Sequence, residues 1–363
     1  MSDTRIAQIC GNMTYGGVAS VVMNYYRHID RSRFQFDFYS YGPSPHDAEI
    51  KALGGRVFYI KPFDRPFRAA HFLYNALKGK DYQIVHSHLN TLNCFTLKAA
   101  ERAGVPVRIA HNHSTSFPFE PAAPVKAVLK RFIRRFATHL CACSRYSAEW
   151  IYGKRADRAF IARNAVDTDR YKFDSAARER LRAELGLEGK LVIGHAGRFV
   201  RQKNHKFLIK MMKKVAAGTT SPRPPVLVLA GSGKLMPKIQ RLVKKHELGD
   251  EVIFLGERED LDKAYSAFDV LALPSHYEGL PLVALEAETS GLPVVLSDKI
   301  TAEACVVNCS RLALKAGLWA ERILSYKDFA REDASDIMKE AGFDIRLETK
   351  RLEEYYTIEK VNR

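Results

Sequence analysis

The chain has 363 residues, 46% of them hydrophobic, and its 57 Lys and Arg exceed its 41 Asp and Glu for a formal charge of +16. That length predicts two domains rather than one, and the composition excludes collagen-like and low-complexity classes. The opening MSDTRIAQIC has no apolar leader stretch and no run approaches the ~18 apolar residues of a spanning helix, so a cytoplasmic protein is expected.

Short apolar runs alternate with helical patterns along the chain. Strands are predicted at residues 5–10, 34–39, 56–60, 84–88, 107–111, 139–144 and 159–162. A charged interval over 167–190, with a helix at 176–185, separates these from strands at 191–196, 226–230, 252–255, 270–273 and 293–296. Helical patterns fill the gaps, among them 18–29, 72–78, 205–214, 237–245 and 281–290. This alternation predicts an α/β chain of two doubly wound, Rossmann-like domains facing across a cleft. Residues 1–165 form the first, 166–344 the second, and a charged terminal helix within 345–363 is expected to pack back on the first. The six cysteines are sparse and lack zinc-site spacing, so reduced thiols are expected.

In open α/β sheets ligands bind at the carboxyl ends of strands, so the loops there carry the candidate chemistry. After the first strand, Gly16-Gly17 precede a helix whose start favours negative charge. Their spacing from Gly11 is not the dinucleotide fingerprint. His86, His88, His111 and His113 close two first-domain strands and can hydrogen-bond a sugar, His113 being the preferred candidate; satisfied structural histidines fit equally. The segment VKAVLKRFIRRF sets Val125, Val128, Leu129, Phe132, Ile133 and Phe136 against five cations. It suits either an anionic membrane surface or packing on a sheet.

In the second half, GRFVRQKN places Arg198 and Lys203 around a loop, with Asn204 as an N-cap. A guanidinium fork and a point charge there suit a phosphate. The GSGKL loop, with Gly231, is not a Walker A motif, because Val228 and Leu235 stand where that motif needs Gly and Ser or Thr. Asp167-Thr168-Asp169 and Asp260-Leu261-Asp262 have a spacing that can hold a divalent cation, but acidic residues at a helix start have an ordinary dipole explanation.

The segment HYEGLPLVALEAETSGLPV puts Glu278 just before a helix predicted to begin near Pro281, and Glu286 on its second turn. Glu288 falls on the other side and is expected to be solvated. Carboxylates repel a diphosphate but accept hydrogen bonds from hydroxyls. Arg198, Lys203 and the amides of residues 279–282 suit the phosphates between. The implied ligand has hydroxyls at both ends and negative charge in its middle, as a nucleotide-sugar does.

Together GGVAS, GRFVRQKN, FLGERED and DVLALPSHYEGLPLVALEAETSGLPVV resemble the retaining GT-B glycosyltransferases of family 4, whose mark is a glutamate pair with seven residues between. The resemblance spans nearly the whole chain. It implies a hexosyltransferase using a nucleotide-sugar, a UDP-sugar, with a glycan or lipid-linked glycan acceptor, in capsule or exopolysaccharide assembly. It implies that Glu286 holds the ribose, Glu278 lies by the donor sugar, and Arg198 and Lys203 meet the diphosphate. Gly279, Leu280 and Leu282 join them at the helix start, and Gly256 and Arg258 lie near the base. Gly231 lines the donor site, while Gly16, Gly17 and His113 approach donor or acceptor. No metal or other cofactor is expected, nor nucleic acid; peripheral contact with the inner membrane face is. Two departures from the family pattern are Asn164-Ala165-Val166-Asp167 and the glycine-free KITAEAC. The alternatives are a nucleotide-sugar epimerase of the same fold and, further off, a non-enzymatic nucleic-acid binder.

Overall fold

The computed structural model describes residues 4–14, 16–115, 123–218 and 223–361. It divides into two units, Met1–Ala165 with Ile345–Arg363, and Val166–Asp344. The first is built on strands β1 (Thr4–Gly11), β2 (Phe34–Ser40), β3 (Arg56–Tyr59), β4 (Ile84–Ser87), β5 (Val107–Asn112), β6 (His139–Ala142) and β7 (Phe160–Ile161). All pair in parallel, in the order β3-β2-β1-β4-β5-β6-β7. β1 and β2 are buried almost throughout, as strands covered on both faces must be. The terminal helix Ile345–Val361 belongs to this unit, where Glu353 accepts from the Asp30 amide at 2.8 Å.

The second unit carries β8 (Leu191–Ala196), β9 (Pro225–Ala230), β10 (Val252–Gly256), β11 (Val270–Leu273), β12 (Val294–Ser297) and β13 (Cys309–Leu312). Its order is β10-β9-β8-β11-β12-β13, again parallel. Both sheets reverse their winding beside the first strand, between β1 and β4 and between β8 and β11. Such reversals open a crevice at the strand ends.

The structure differs from the sequence reading in several places. The edge strand β13 was not expected; CSRL is too short and polar to announce itself. Cys305 and Cys309 are joined in a disulfide across the turn into β13, with Cα atoms 5.3 Å apart, while Cys10, Cys94, Cys141 and Cys143 are free and buried. The expectation of six reduced thiols fails there. The basic segment is a helix, Ala123–Phe136, that does two things at once. Ile133 is buried and Leu129 and Phe136 pack on the core, whereas Val125, Val128 and Phe132 are 60%, 53% and 51% exposed. Among the described residues no helix is long and apolar enough to cross a membrane.

Candidate active site

Two loops at the β8/β11 reversal are laced together. Beyond β8 the chain turns through a short 3-10 segment, Arg201–Lys203. The Gln202 carbonyl accepts from the His276 amide at 2.8 Å, and its side-chain amide donates to the Tyr277 carbonyl at 2.9 Å and to Glu278 Oε2 at 3.0 Å. Asn204 takes a left-handed backbone (φ 56°, ψ 42°) and donates to the Pro274 carbonyl at 3.2 Å. It is therefore not the side-chain cap that the sequence predicts; its amide ties one loop to the other. The lacing brings Lys203 Nζ to 2.8 Å from Glu278 Oε1, with both side chains largely out of solvent. Arg198 is exposed, and its guanidinium has no partner among the described residues.

The glycine loop after β9 supports this platform from below. A Cβ on Gly231 would stand 2.3 Å from the Gly197 carbonyl oxygen, and one on Gly233 would stand 2.9 Å from backbone atoms of Phe199. With φ of 129° and 145°, both positions need glycine for close loop packing. Gly231 thus has a packing role in addition to any role toward ligand. Gly256 ends β10 with open space around it, and Arg258 beyond it is held in a fork by Asp260, both contacts 2.8 Å.

The helix after β11 spans Leu282–Thr289, with Pro281 at its cap rather than in its first turn. Seven of its eight residues are buried, including both glutamates, so it has no solvated face. Glu286 Oε2 accepts from the Tyr265 hydroxyl at 2.7 Å. Burial raises its pKa, against hydrogen bonds from Tyr265 and Tyr171 and the nearby charge of Arg170. Glu278 lies in the entry loop and is buried, as is Leu280 beside it. Lys203 and Glu278 thus meet at the loop that enters the helix on which Glu286 is buried.

Glu288 overturns its sequence reading. It is fully buried and accepts from the amides of Val306 and Val307 at 2.8 and 2.7 Å. It anchors the turn before β13 rather than facing water. Burial pushes its carboxyl from an ordinary 4.5 up to about 8, against those two amide donations. A folded-state pKa above the unfolded one gives stability that is present below the unfolded value and lost as pH rises through the folded value. Unfolding free energy from denaturant titrations should therefore fall between about pH 5 and pH 8. Glu288→Gln should flatten that slope; an unchanged slope would rule Glu288 out as its source.

The aspartate pairs have other partners. Asp260 holds Arg258, Asp262 lies 3.2 Å from Arg170, and Asp169 faces Lys172 and Lys339. Asp167 accepts from the amides of Asp169 and Arg170.

In the first unit, Gly16 caps the helix Gly17–His28 with an ordinary extended φ of 170°, and the space beside Gly17 is open. The four histidines form one buried cluster. His86 Nε2 lies 3.0 Å from His111 Nδ1, and His88 Nδ1 lies 2.7 Å from His113 Nε2. Burial lowers all four pKa values, His86 and His113 to about 3. Two sets here, His86 with His111 and Cys141, and His88 with His111 and His113, could each offer three ligand atoms within 4.8 Å of one another. Sequence reasoning missed Gln202, Tyr265, Tyr171 and, in this cluster, Gln8 and Tyr356.

Comparison with known proteins gives the family. Residues 177–331 match the model for glycosyl transferases group 1, and residues 15–170 match that for glycosyltransferase family 4. Bacillus subtilis (strain 168) EpsF, named as a glycosyltransferase, is 33% identical over 377 residues, covering 98% of this chain and 97% of its own. An Escherichia coli UDP-Gal:alpha-D-GlcNAc-diphosphoundecaprenol alpha-1,3-galactosyltransferase is 30% identical over 58% of this chain and 56% of its own. Among solved structures, Anabaena HepE with UDP and glucose superposes with a TM-score of 0.81 at 20% identity, over 97% of this chain and 99% of that one. Sucrose-phosphate synthase from Thermosynechococcus elongatus also gives 0.81, at 18% identity over 99% and 100%. Both show the fold. The chain belongs to the group 1, family 4 glycosyltransferases and is a glycosyltransferase of the GT-B type.

Proposed function

We propose that this glycosyltransferase moves a hexose, with retained anomeric configuration, from a UDP-sugar to a hydroxyl of a lipid-linked glycan during capsule or exopolysaccharide assembly. The observation that carries the reading is the Lys203–Glu278 pair at the start of the helix that buries Glu286. Glu286 exchanges its tyrosine contact for the ribose hydroxyls, and Glu278 meets a donor-sugar hydroxyl. Lys203, Arg198 and the amides of Gly279, Leu280 and Leu282 take the diphosphate, with the helix start adding its partial positive charge. Gly231, Gly256 and Arg258 border the nucleotide, and Gly16, Gly17 and His113 of the first unit are assigned to the substrate as well.

In the reaction, the bond from the anomeric carbon to the phosphate oxygen breaks and a bond to the acceptor oxygen forms on the same face. The acceptor proton passes to the leaving phosphate. Charge develops on that phosphate, where fixed cations stabilise it most. The reading requires no metal. A UDP-sugar and a lipid-linked acceptor are supported by the name of the Escherichia coli relative. The half-exposed apolar stripe of Ala123–Phe136, among its cations, supports contact with an anionic membrane surface.

A thermal-shift panel of UDP-, GDP- and ADP-sugars tests the donor, since specific binding raises the unfolding midpoint. A UDP-sugar should raise it most; no shift with any donor would count against the assignment. Flotation with anionic but not neutral vesicles is expected in parallel, and equal behaviour with both would remove the membrane contact.

A further inference from the structure

Two buried histidines of the second unit, His195 and His205, lie beside Lys203. His195 is the next-to-last residue of β8, and His205 opens the helix His205–Gly218. The His205 ring stacks on Phe199 at 3.9 Å and crosses the His195 ring at 82°, with centroids 4.7 Å apart. His195 Nδ1 is 2.8 Å from the Ala272 carbonyl oxygen on β11. Burial pushes the His195 pKa down to about 4 against that hydrogen bond, and the Lys203 charge adds to the drop, so the ring is neutral near pH 7. A neutral imidazole carries one proton, and a carbonyl oxygen only accepts. The proton therefore sits on Nδ1, because a backbone carbonyl cannot reverse its role. Nε2 is left as a bare lone pair.

Among the described residues that lone pair has no partner, although it is out of solvent; both nitrogens of His205 are in the same state. Buried polar atoms left open are uncommon and need an explanation. Gly197 supplies one for His195. A Cβ at that position would stand 3.1 Å from Lys203 Cε, 3.2 Å from Lys203 Cδ and 3.3 Å from His195 Nε2. The lysine stem and the lone pair thus border one small space, and a residue without a side chain keeps it free.

We infer that His195 is a positioning residue for transfer, whose Nε2 accepts a hydrogen bond from the Lys203 ammonium once the donor engages Glu278. The inference rests on the assignment of Lys203 to the diphosphate made above. An ammonium has three protons to give and accepts none. Without donor, Glu278 holds it at 2.8 Å. On the proposed reading Glu278 then turns to a sugar hydroxyl, and the contact that fixed the cation weakens just when the phosphate needs it. His195 Nε2 is the acceptor that stays behind. A hydrogen bond from a charged donor is roughly twice as strong as a neutral one, so this lone pair can keep the lysine aimed while the acid serves the sugar.

Two variants of the full chain separate the two ring nitrogens. His195→Asn can still donate to the Ala272 carbonyl but puts no acceptor where Nε2 stands. His195→Gln reaches that place with its carbonyl oxygen but gives up the Ala272 bond. The inference expects His195→Asn to lower kcat about tenfold, the weight of one hydrogen bond to a charged group, with donor KM little changed, and His195→Gln to retain more of the rate. In a Lys203→Ala background His195→Asn should cost nothing further, since its effect passes through the lysine. Gly197→Ala, which leaves both side chains intact and fills the space between them, should lower kcat in the same direction and guards against a folding defect in the histidine variants. A purely structural His195 predicts the reverse order, with His195→Gln the slower and the losses following the urea unfolding midpoints. That order, or an equal cost of His195→Asn with and without Lys203, would overturn the inference. Normal transfer by Lys203→Ala alone would instead sink the assignment of Lys203 to the diphosphate.

Discussion

Lys203→Ala is expected to lower kcat for glycosyl transfer by at least ~10-fold, and towards the ~10²–10³-fold loss that follows removal of one preorganised charge-stabilising donor. The ammonium is not a loose surface charge. Its turn is tied to the facing loop through Gln202 and Asn204, and Glu278 holds it at 2.8 Å. On the proposed reading it is therefore in position before the phosphate begins to leave. Negative charge there grows towards the transition state, so the loss should fall on kcat more than on donor KM. Because Lys203 and Glu278 are partners, combining Lys203→Ala with Glu278→Gln should cost less than the sum of the two. Arg198→Ala should act in the same direction. Near-normal rates for both Lys203→Ala and Arg198→Ala would remove these cations from the mechanism.

The largest stability effect should come from Asp269, directly before β11. Its carboxylate lies 2.6 Å from Arg178, 2.6 Å from Arg182 and 3.1 Å from Arg223, and accepts from the Val192 amide at 2.8 Å. Burial works to raise its pKa, but the arginines, Arg182 foremost, and the Val192 amide hold it below the usual carboxylate value. Arg331 lies in the same cluster, donating to backbone carbonyls of Tyr265 and Phe268, and burial lowers it to about 9. One acid thus serves several guanidiniums. Removing it leaves buried like charges uncompensated, a loss of about 3–5 kcal/mol when a buried pair is broken from one side. Asp269→Ala should show this in urea unfolding, with Asp269→Asn milder because it can still accept from Val192. A loss below about 1 kcal/mol, the scale of an exposed pair, would mean that solvent reaches the cluster. With its folded pKa depressed, Asp269 gives stability above its unfolded value that is lost as pH falls through the folded one.

Much of the fold was legible because its strands are continuous apolar runs separated by helical patterns, which is how doubly covered parallel strands read. What escaped had physical reasons. The edge strand Cys309–Leu312 pairs on one side only and needs little apolar character. Glu288 was misread because period reasoning assumes one wet face on every helix, and Leu282–Thr289 has none. Asn204 was misread because an amide before a helix can tie loops as well as cap. At the candidate site, the charged residues announced themselves by type and by their place after strands. Their supports did not. Gln202, Tyr265 and Tyr356 are ordinary residues whose partners lie 76, 21 and 348 positions away, and no local pattern encodes such pairings.

A crystal structure of the protein with an intact UDP-sugar tests the central division between acids on hydroxyls and cations on phosphates most directly. The account predicts Glu286 within hydrogen-bond distance of the ribose hydroxyls, with Lys203 and Arg198 on the diphosphate. Glu286 still held by Tyr265 and clear of the nucleotide, with both cations away from the phosphates, would contradict it.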